Sequence, residues 1–225
     1  MFLIKDLLLT ILSLFTFAQK SVYLSFFNYR ERPLERGSLK KILEVRWHGR
    51  GGQGAWTASE LLARAAIAEG KYIQSFPEFG PERMGAPVTA FTRISTEPIR
   101  IHCAVYNPDI VAVLDPTLLK AVNVADGLDE EGGNIIVNTK ENPAEVRKLL
   151  KSNAGKVWTV EASEISLKIL GLPITNTAML GAVARVTGIV RLETVEKMIN
   201  ERFRSDVAAK NFAVVKEAYQ GVKNE

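Results

Sequence analysis

The 225-residue chain contains one cysteine and two histidines, and these shortages exclude several kinds of site. A disulfide scaffold, a structural zinc site and an iron–sulfur cluster each need two to four cysteine thiolates, which this chain cannot supply. Two histidines leave little scope for a histidine-rich metal site. The hydrophobic fraction of 47% and the charged fraction of 24% argue against a disordered, collagen-like or polytopic membrane protein.

The excess of positive charge belongs to the N-terminal part of the sequence. The formal net charge is +4 at pH 7, and residues 1–40 contain six basic and three acidic side chains. The rest of the chain is therefore nearly neutral. We infer no nucleic-acid partner from the charge, because such a partner requires a basic patch on the folded domain.

Residues 1–38 are predicted to form an N-terminal extension of a domain that spans residues 39–225. An apolar run from Leu7 to Ala18 is shorter than the ~20 residues that cross a bilayer. Three interpretations are open: a membrane or secretory segment, a tail that docks on a partner, and an upstream sequence created by the choice of start site. We favour the third, because a regular strand and helix pattern begins at Lys40 and needs nothing before it.

Strand-like and helix-like segments alternate through the predicted domain. We expect strands at Lys40–Trp47, Lys71–Ser75, Val88–Ile94, Ile99–Ala104, Ile110–Leu114, Asn134–Asn138 and Lys156–Val160. The third and fourth of these are expected to pair as a hairpin. We expect helices at Ala55–Glu69, after Asp115-Pro116, at Pro143–Lys151 and from Ala162 to the end, with breaks at 171–173 and 188. The alternation predicts a three-layer α/β/α domain with a mixed, largely parallel sheet and a helical C-terminal segment.

The strongest local feature is a glycine loop from Gly49 to Gly54, between a predicted strand and a predicted helix. Such a loop presents backbone N–H groups at the positive end of a helix, where a phosphate or another anion binds. The glycines fit the G-x-G-x-x-G spacing of dinucleotide-binding folds. However, the second strand ends in Gln74-Ser75 instead of a ribose-binding acid, and no Gly-Lys-Ser/Thr follows. A dinucleotide site, a tight packing turn and a loop that binds phosphate or a partner all remain open.

A second irregular segment runs from Phe76 to Pro87 and contains three prolines and two glycines. Loops that follow strands in α/β sheets are common places for binding sites. Glu82 and Arg83 in this segment are either a solvated ion pair or contacts for a ligand or a neighbouring subunit.

Three other candidates carry weaker signals. Cys103 follows a histidine in a predicted strand, where adjacent side chains point to opposite faces, so we expect a core cysteine and no Cys–His pair. His48 precedes the glycine loop and either contacts a ligand or caps a strand. Asn176-Thr177 is expected to be a helix N-cap. The two histidines allow no Ser–His–Asp constellation, and we predict no catalytic residue.

Four segments taken together resemble the gamma subunits of the 2-oxoacid:ferredoxin oxidoreductase family, and most closely those of its pyruvate-specific branch, the pyruvate synthases. The segments are EVRWHGRGGQGAWTASELLARAA, SFPEFGPERMGAPVTAFTRI, PDIVAVLDPTLL and TNTAMLGAVARVTGIV. The resemblance covers roughly residues 39–223. The combination of the motifs is specific, whereas the glycine loop alone would not be.

The resemblance implies a subunit of an enzyme that converts pyruvate, coenzyme A and oxidised ferredoxin into acetyl-CoA, carbon dioxide and reduced ferredoxin. Thiamine diphosphate, Mg²⁺ and [4Fe–4S] clusters would lie in alpha, beta and delta subunits. This chain would bind none of them, ligate no metal and be inactive in isolation. An alternative is the gamma subunit of, or one shared with, a branched-chain 2-oxoacid or 2-oxoglutarate enzyme. The family also implies a cytoplasmic protein that meets ferredoxin only through the complex, with no membrane or nucleic-acid partner.

The resemblance further implies a part in coenzyme A binding, because the equivalent domain of single-chain relatives lies on the coenzyme A side of the active site. The residues expected to contact a phosphate of coenzyme A are Gly49, Gly51, Gly52, Gln53 and Gly54, with Arg83 as the charge partner. An alternative of another class is a purely structural assembly subunit that touches no ligand. A third is a free-standing dinucleotide enzyme, which would carry bound NAD or flavin.

Overall fold

The computed structural model describes residues 42–78, 84–150 and 152–225. Within these ranges one sheet contains the strands β1 (Leu43–Arg50), β2 (Tyr72–Pro77), β3 (Pro87–Ser95), β4 (Ile110–Val113), β5 (Asn134–Asn138), β6 (Lys156–Val160) and β7 (Lys223–Asn224). The helices in the same ranges are α1 (Ala55–Ala68), α2 (Leu118–Ala121), α3 (Pro143–Leu149), α4 (Ala162–Leu170), α5 (Asn176–Thr187), α6 (Leu192–Arg202) and α7 (Ser205–Gly221).

The sheet is mixed, with the strand order β2-β3-β1-β4-β5-β6-β7. Strands β1, β4, β5 and β6 are parallel, whereas β3 runs antiparallel to both β1 and β2, and β7 runs antiparallel to β6. After β1 the chain first forms β2 and β3, which lie on one side of β1 in the sheet. It later forms β4, which lies on the other side of β1. The carboxyl ends of β1 and β4 therefore form a topological switch point, where open α/β sheets bind ligands.

Each face of the sheet has its own hydrophobic core. On one face, Val45 and Trp47 of β1 pack with α1 and with α4 to α7, whose core residues include Leu62, Met179 and Val215. On the other face, a thinner layer contains α2, α3 and their connections, with core residues Val111, Val113, Leu118, Leu119, Val124, Ile135, Val137 and Val146. The predicted three-layer α/β/α architecture is confirmed, and its two outer layers are unequal.

Helix α1 follows directly from the pattern of its sequence. Small and apolar residues recur at helical spacing and are buried, namely Ala58, Leu61, Leu62, Ala65 and Ala66. The helix ends just before Gly70, whose φ of 78° lies in the left-handed region that glycine adopts readily. The predicted helix is therefore confirmed, while the strand before the glycine loop runs further than predicted, to Arg50.

The predicted hairpin that paired Ile99–Ala104 with the preceding strand is wrong. Strand β3 already has β1 on one side and β2 on the other, and residues 99–104 have no regular structure. Side chains bind the carbonyl groups of this segment: Arg93 Nη1 donates to Cys103 O at 2.8 Å, and Gln74 Nε2 donates to Ile101 O at 2.7 Å. Because these side chains satisfy its acceptors, the segment needs no partner strand.

Other local predictions also need correction. Cys103 is an exposed free thiol and no core residue, because its segment lies on the surface. The helix after Pro116 is short and begins at Leu118, since the Asp115 side chain accepts the Thr117 N–H and forms a turn first. Asn176 is the first helical residue of α5, not its N-cap. Strand β7 was not predicted, and it pairs with the edge of β6.

Candidate functional site

The glycine loop lies at the switch point, where residues 51–54 connect β1 to α1 and the predicted site residue Gly49 is a buried residue of β1. Gly52 and Gly54 have φ values of 92° and 78°, and Gly54 is the N-cap of α1. A Cβ atom added to Gly54 would lie 2.6 Å from Asn176 Nδ2, so only glycine fits at this close approach of α1 and α5. A Cβ added to Gly52 would meet no atom of the described residues within 4 Å. Gly52 is thus the open position of the loop.

A hydrogen-bond network behind the loop is centred on Asp115, which follows β4. Asp115 Oδ2 accepts from Gln53 Nε2 at 2.8 Å and from Arg50 Nε at 3.1 Å. Asp115 Oδ1 accepts from the backbone N–H of Thr117 at 2.9 Å and from its hydroxyl at 2.6 Å. Asp115 was not among the predicted site residues. The available signal was its position directly after a buried strand, at the edge where such sheets bind ligands.

Asp115 carries a stable negative charge. Burial acts to raise the pKa of its carboxyl group, but hydrogen bonds from Thr117 and Gln53 and the nearby Arg50 guanidinium outweigh this effect. The pKa is therefore held below its ordinary value. The carboxylate is ionised at neutral pH and accepts all four hydrogen bonds.

Residues 84–87, at the C-terminal end of the Phe76–Pro87 segment, lie against the glycine loop, so the structure brings these two predicted features together. Gly51 N donates to Ala86 O at 2.9 Å, and Gly85 N donates to Gly51 O at 3.2 Å. Arg50 Nη1 also donates to Gly85 O at 3.0 Å. Glu82 and Arg83, for which a solvated ion pair and contacts with a ligand or a neighbouring subunit were both open, lie outside the described residues.

His48 lies on β1 with its side chain hydrogen-bonded to Arg46, whose Nε donates to His48 Nε2 at 3.1 Å. Burial of the ring, followed by the positive charge of Arg46, lowers the pKa of His48 to about 3. Because Nε2 accepts a hydrogen bond, the neutral ring carries its proton on Nδ1. The alternative that His48 caps a strand is wrong, because β1 continues to Arg50. Contact of His48 with a ligand stays a prediction.

A concave region lies along the same edge, beside the ends of β5 and β6. It encloses about 280 Å³ and is lined by Pro116, Asn138, Thr139, Lys140, Glu161, Ser163 and Glu164. Lys140 Nζ lies 2.8 Å from Glu164 Oε1, and the buried Asn138 side chain bridges Leu114 O and Ser163. In this region Lys140 is thus paired with Glu164, and Asn138 with Ser163.

The residues of this chain do not fit an iron–sulfur cluster. A [4Fe–4S] cluster takes four thiolates, and the only cysteine of the sequence is the exposed Cys103. In the ranges that the structure covers, no group of three or more His, Cys, Asp and Glu side chains is placed to share a metal ion. None of the helices in those ranges is both long and apolar enough to span a bilayer.

Comparison with known proteins identifies the family. The family model described as pyruvate ferredoxin/flavodoxin oxidoreductase matches residues 44–221. This chain belongs to that family. A member from Pyrococcus furiosus, named pyruvate/ketoisovalerate oxidoreductases common subunit gamma, is 55% identical over 179 residues, which are 80% of this chain and 96% of that protein. A member from Methanocaldococcus jannaschii, named pyruvate synthase subunit PorC, is 47% identical over 178 residues, which are 79% and 96% of the two chains.

A solved structure within this family has the same fold. The crystal structure of pyruvate oxidoreductase subunit PORC from Thermotoga maritima matches with a TM-score of 0.74 and 46% sequence identity, over 83% of this chain and 99% of that one. The α/β fold and the resemblance to 2-oxoacid oxidoreductase gamma subunits, both inferred from the sequence, are confirmed. The comparisons do not identify which atoms contact a ligand, so the assignment of Gly49, Gly51, Gly52, Gln53, Gly54 and Arg83 stays a prediction.

Proposed function

We propose that this chain is the gamma subunit of a multi-subunit pyruvate:ferredoxin oxidoreductase and acts with alpha, beta and delta subunits. The observation that carries this proposal is the match to nearly the whole length of relatives named as gamma or PorC subunits. The complete enzyme would convert pyruvate, coenzyme A and oxidised ferredoxin into acetyl-CoA, carbon dioxide and reduced ferredoxin. Thiamine diphosphate in a partner subunit would stabilise the carbanion left by decarboxylation.

The choice of 2-oxoacid is a separate part of the proposal. One relative is named a common subunit of pyruvate and ketoisovalerate oxidoreductases, which supports a gamma subunit shared with a branched-chain enzyme. An enzyme for 2-oxoglutarate is the other alternative. Affinity purification of the chain from its own cells, followed by mass spectrometry, should recover two thiamine-type subunits and a dicluster ferredoxin-like subunit. Recovery of a second set of catalytic subunits would establish sharing.

For this chain we propose a role in binding a phosphate of coenzyme A. The site would be formed by Gly49, Gly51, Gly52, Gln53 and Gly54, with Arg83 as the charge partner. Gly52 would make the closest approach, because a side chain there would project into open space in front of the loop. The Gly51 N–H is bonded to Ala86 O, and the Gln53 side chain to Asp115. These two residues would therefore shape the loop, while Gly52 and the first turn of α1 face the phosphate.

The test is Gly52→Val in the reconstituted enzyme. A side chain at this position would block the approach of a phosphate, so we expect the KM for coenzyme A to rise about tenfold or more, with little change in kcat. Gly70→Val is the matched control, since Gly70 also has a positive φ and open space but lies at the other end of α1. An unchanged KM for coenzyme A, accompanied by poor assembly, would refute the role in binding.

A second candidate function is assembly without ligand contact. It is favoured by the exposed apolar side chains near the loop, since Met84 is 95% exposed and Trp56 39% exposed. Thermal denaturation of the purified chain with coenzyme A separates the two functions. A ligand at a hundredfold excess over Kd stabilises by about 2.7 kcal/mol, which is a measurable shift in Tm. If neither the chain nor the complex responds to coenzyme A, the assembly function stands.

We also propose that the cofactors of the complex, thiamine diphosphate, Mg²⁺ and [4Fe–4S] clusters, belong to the partner subunits. The complex would act in the cytoplasm, where ferredoxin and coenzyme A are found, without a membrane or nucleic-acid partner. Metal and thiamine analysis of the isolated chain and of the complex tests this division. Cofactors should appear only in the complex.

A further inference from the structure

We propose that Asp115 is the positioning residue of the glycine loop, and that its carboxylate fixes the loop in the shape that receives the ligand. The identity of the ligand rests on the function proposed above, whereas the shaping of the loop does not. The proposal follows from the two residues of the glycine loop that Asp115 holds, Arg50 and Gln53.

The first step runs through Gln53. Its Oε1 accepts the Arg50 backbone N–H at 2.8 Å, its own backbone N–H donates to Arg50 O at 3.0 Å, and its Nε2 donates to Asp115 Oδ2 at 2.8 Å. The side chain therefore closes the turn on itself and anchors it to β4. Rotating the Gln53 amide by half a turn would set its NH₂ group against the Arg50 N–H and its oxygen against the Asp115 carboxylate, so these two partners fix its orientation.

The second step runs through Arg50. While its Nε donates to Asp115, its Nη1 donates to Gly85 O at 3.0 Å and its Nη2 to Thr117 Oγ1 at 2.8 Å. The guanidinium is planar and rigid, so fixing Nε against the carboxylate aims the two terminal nitrogens. Through Arg50, Asp115 also holds residues 84–87 of the Phe76–Pro87 segment beside Gly51.

The third step explains why a carboxylate is required at this position. Each of the two oxygens of Asp115 accepts two hydrogen bonds, and all four donors are N–H or O–H groups. An asparagine has one oxygen, so its NH₂ group would face the donors of Arg50 and Gln53 or those of Thr117. Asparagine, the closest isostere of aspartate, should therefore lose two of these four hydrogen bonds. The lowered pKa of Asp115 is consistent with the strength of these contacts.

The experiment compares Asp115→Asn with Asp129→Asn in the purified full chain and in the reconstituted enzyme. Asp129 is a suitable control, because it also accepts a backbone N–H, from Gly132 at 3.1 Å, but lies at the amino end of β5. Both variants lose one negative charge. Hydrogen exchange measured by mass spectrometry reports the shape of the loop, and KM and kcat for coenzyme A report its use.

We expect Asp115→Asn to accelerate exchange in peptides that contain Gly51–Gly54 and Gly85–Ala86, and to raise the KM for coenzyme A about tenfold, as loss of charged hydrogen bonds would. The value of kcat should stay close to that of the wild type, and Asp129→Asn should change neither readout. Restoring the carboxylate at a longer reach, with Asp115→Glu, should recover part of the effect.

The outcomes separate this inference from the proposed function. Faster exchange in the loop, with a KM for coenzyme A that neither Asp115→Asn nor Gly52→Val alters, supports the positioning role and rejects coenzyme A as the ligand. Unchanged exchange at Gly51–Gly54 in Asp115→Asn overturns the positioning role whatever the kinetics show.

Discussion

His48 has a different charge state in the folded and the unfolded chain at mildly acidic pH. Its pKa is lowered to about 3 in the fold, by burial and then by Arg46, whereas an unfolded histidine takes its proton near pH 6.5. Between these values the unfolded chain binds more protons, so the free energy of unfolding must fall as the pH is lowered. We predict that this dependence of the free energy of unfolding on pH has a slope of up to about 1.4 kcal/mol per pH unit between pH 6.5 and 5, and that His48→Gln removes it.

The measurement is urea unfolding of the purified chain at several pH values. His102→Gln provides the control, because His102 is the only other histidine and its side chain is exposed. A slope between pH 6.5 and 5 that is equal in the wild type and in His48→Gln would contradict the buried, neutral state.

For single residues, the sequence allowed a correct prediction where the residue type itself indicates the backbone conformation. The glycines of the loop could be recognised because positive φ and close backbone approach both favour glycine. The network behind the loop could not, since Asp115 lies 62 residues from Gln53 and meets it only after the sheet has formed. Arg93 was missed for the same reason: its partners Glu44 and Cys103 are fixed by tertiary structure.

At the scale of elements, a buried arginine binds the irregular segment 99–104, together with Gln74. Arg93 is 1% exposed, its Nε donates to Glu44 Oε1 at 2.6 Å, and its Nη groups donate to Cys103 O and Ala104 O at 2.8 and 3.0 Å. Removing it would leave partly buried carbonyl groups and a partly buried carboxylate without this donor. We predict that Arg93→Ala lowers the free energy of unfolding by about 3 kcal/mol or more.

Urea unfolding of the chain also checks this value. The control is Arg64→Ala, because the Arg64–Glu60 pair lies on the surface of α1 and is expected to contribute about 0.5 kcal/mol or less. If both variants lost equally little stability, the segment would have to be held by other contacts.

Helices α5 and α7 pack so closely that a glycine is required between them. A Cβ added to Gly181 of α5 would lie 2.4 Å from Val215 O of α7, whereas one added to Gly221 would come no closer than 4.0 Å to Ile165 Cδ1. We predict that Gly181→Ala destabilises by about 1–3 kcal/mol, because the helices must move apart. Gly221→Ala should be neutral or slightly stabilising. Equal Tm values for the two variants would disprove the close packing.

The elements themselves were largely predictable, because periodic burial marks each helix and each central strand. The hairpin was not, because apolar alternation at Ile99–Ala104 predicts a strand but does not reveal that both edges of β3 are occupied. The two-residue strand β7 is too short to leave a pattern. The start of the domain at residue 39 stays a prediction, since residues 1–41 lie outside the described ranges.

At the largest scale, the described helices are distributed unequally over the two faces of the sheet. The helical face carries α1 and α4 to α7, whereas the opposite face carries α2 and α3, of 4 and 7 residues. The two helical layers pack on opposite faces of the same strands. The glycine loop and Asp115 lie between these layers, at the carboxyl ends of β1 and β4. A thin layer with short helices buries less apolar surface, so it should open locally at lower free energy than the helical layer.

We therefore predict that backbone amides of α2 and α3 exchange with solvent about tenfold faster, or more, than those of α5 under native conditions, measured by hydrogen exchange and mass spectrometry.

Val146→Ala and Val183→Ala form a matched pair, because both valines are 0% exposed and lie in opposite cores. Val183→Ala should lower the global stability by about 2 kcal/mol. Val146→Ala should lower it less and mainly accelerate exchange in α3. Uniform protection of the two layers would show that the fold opens as one unit.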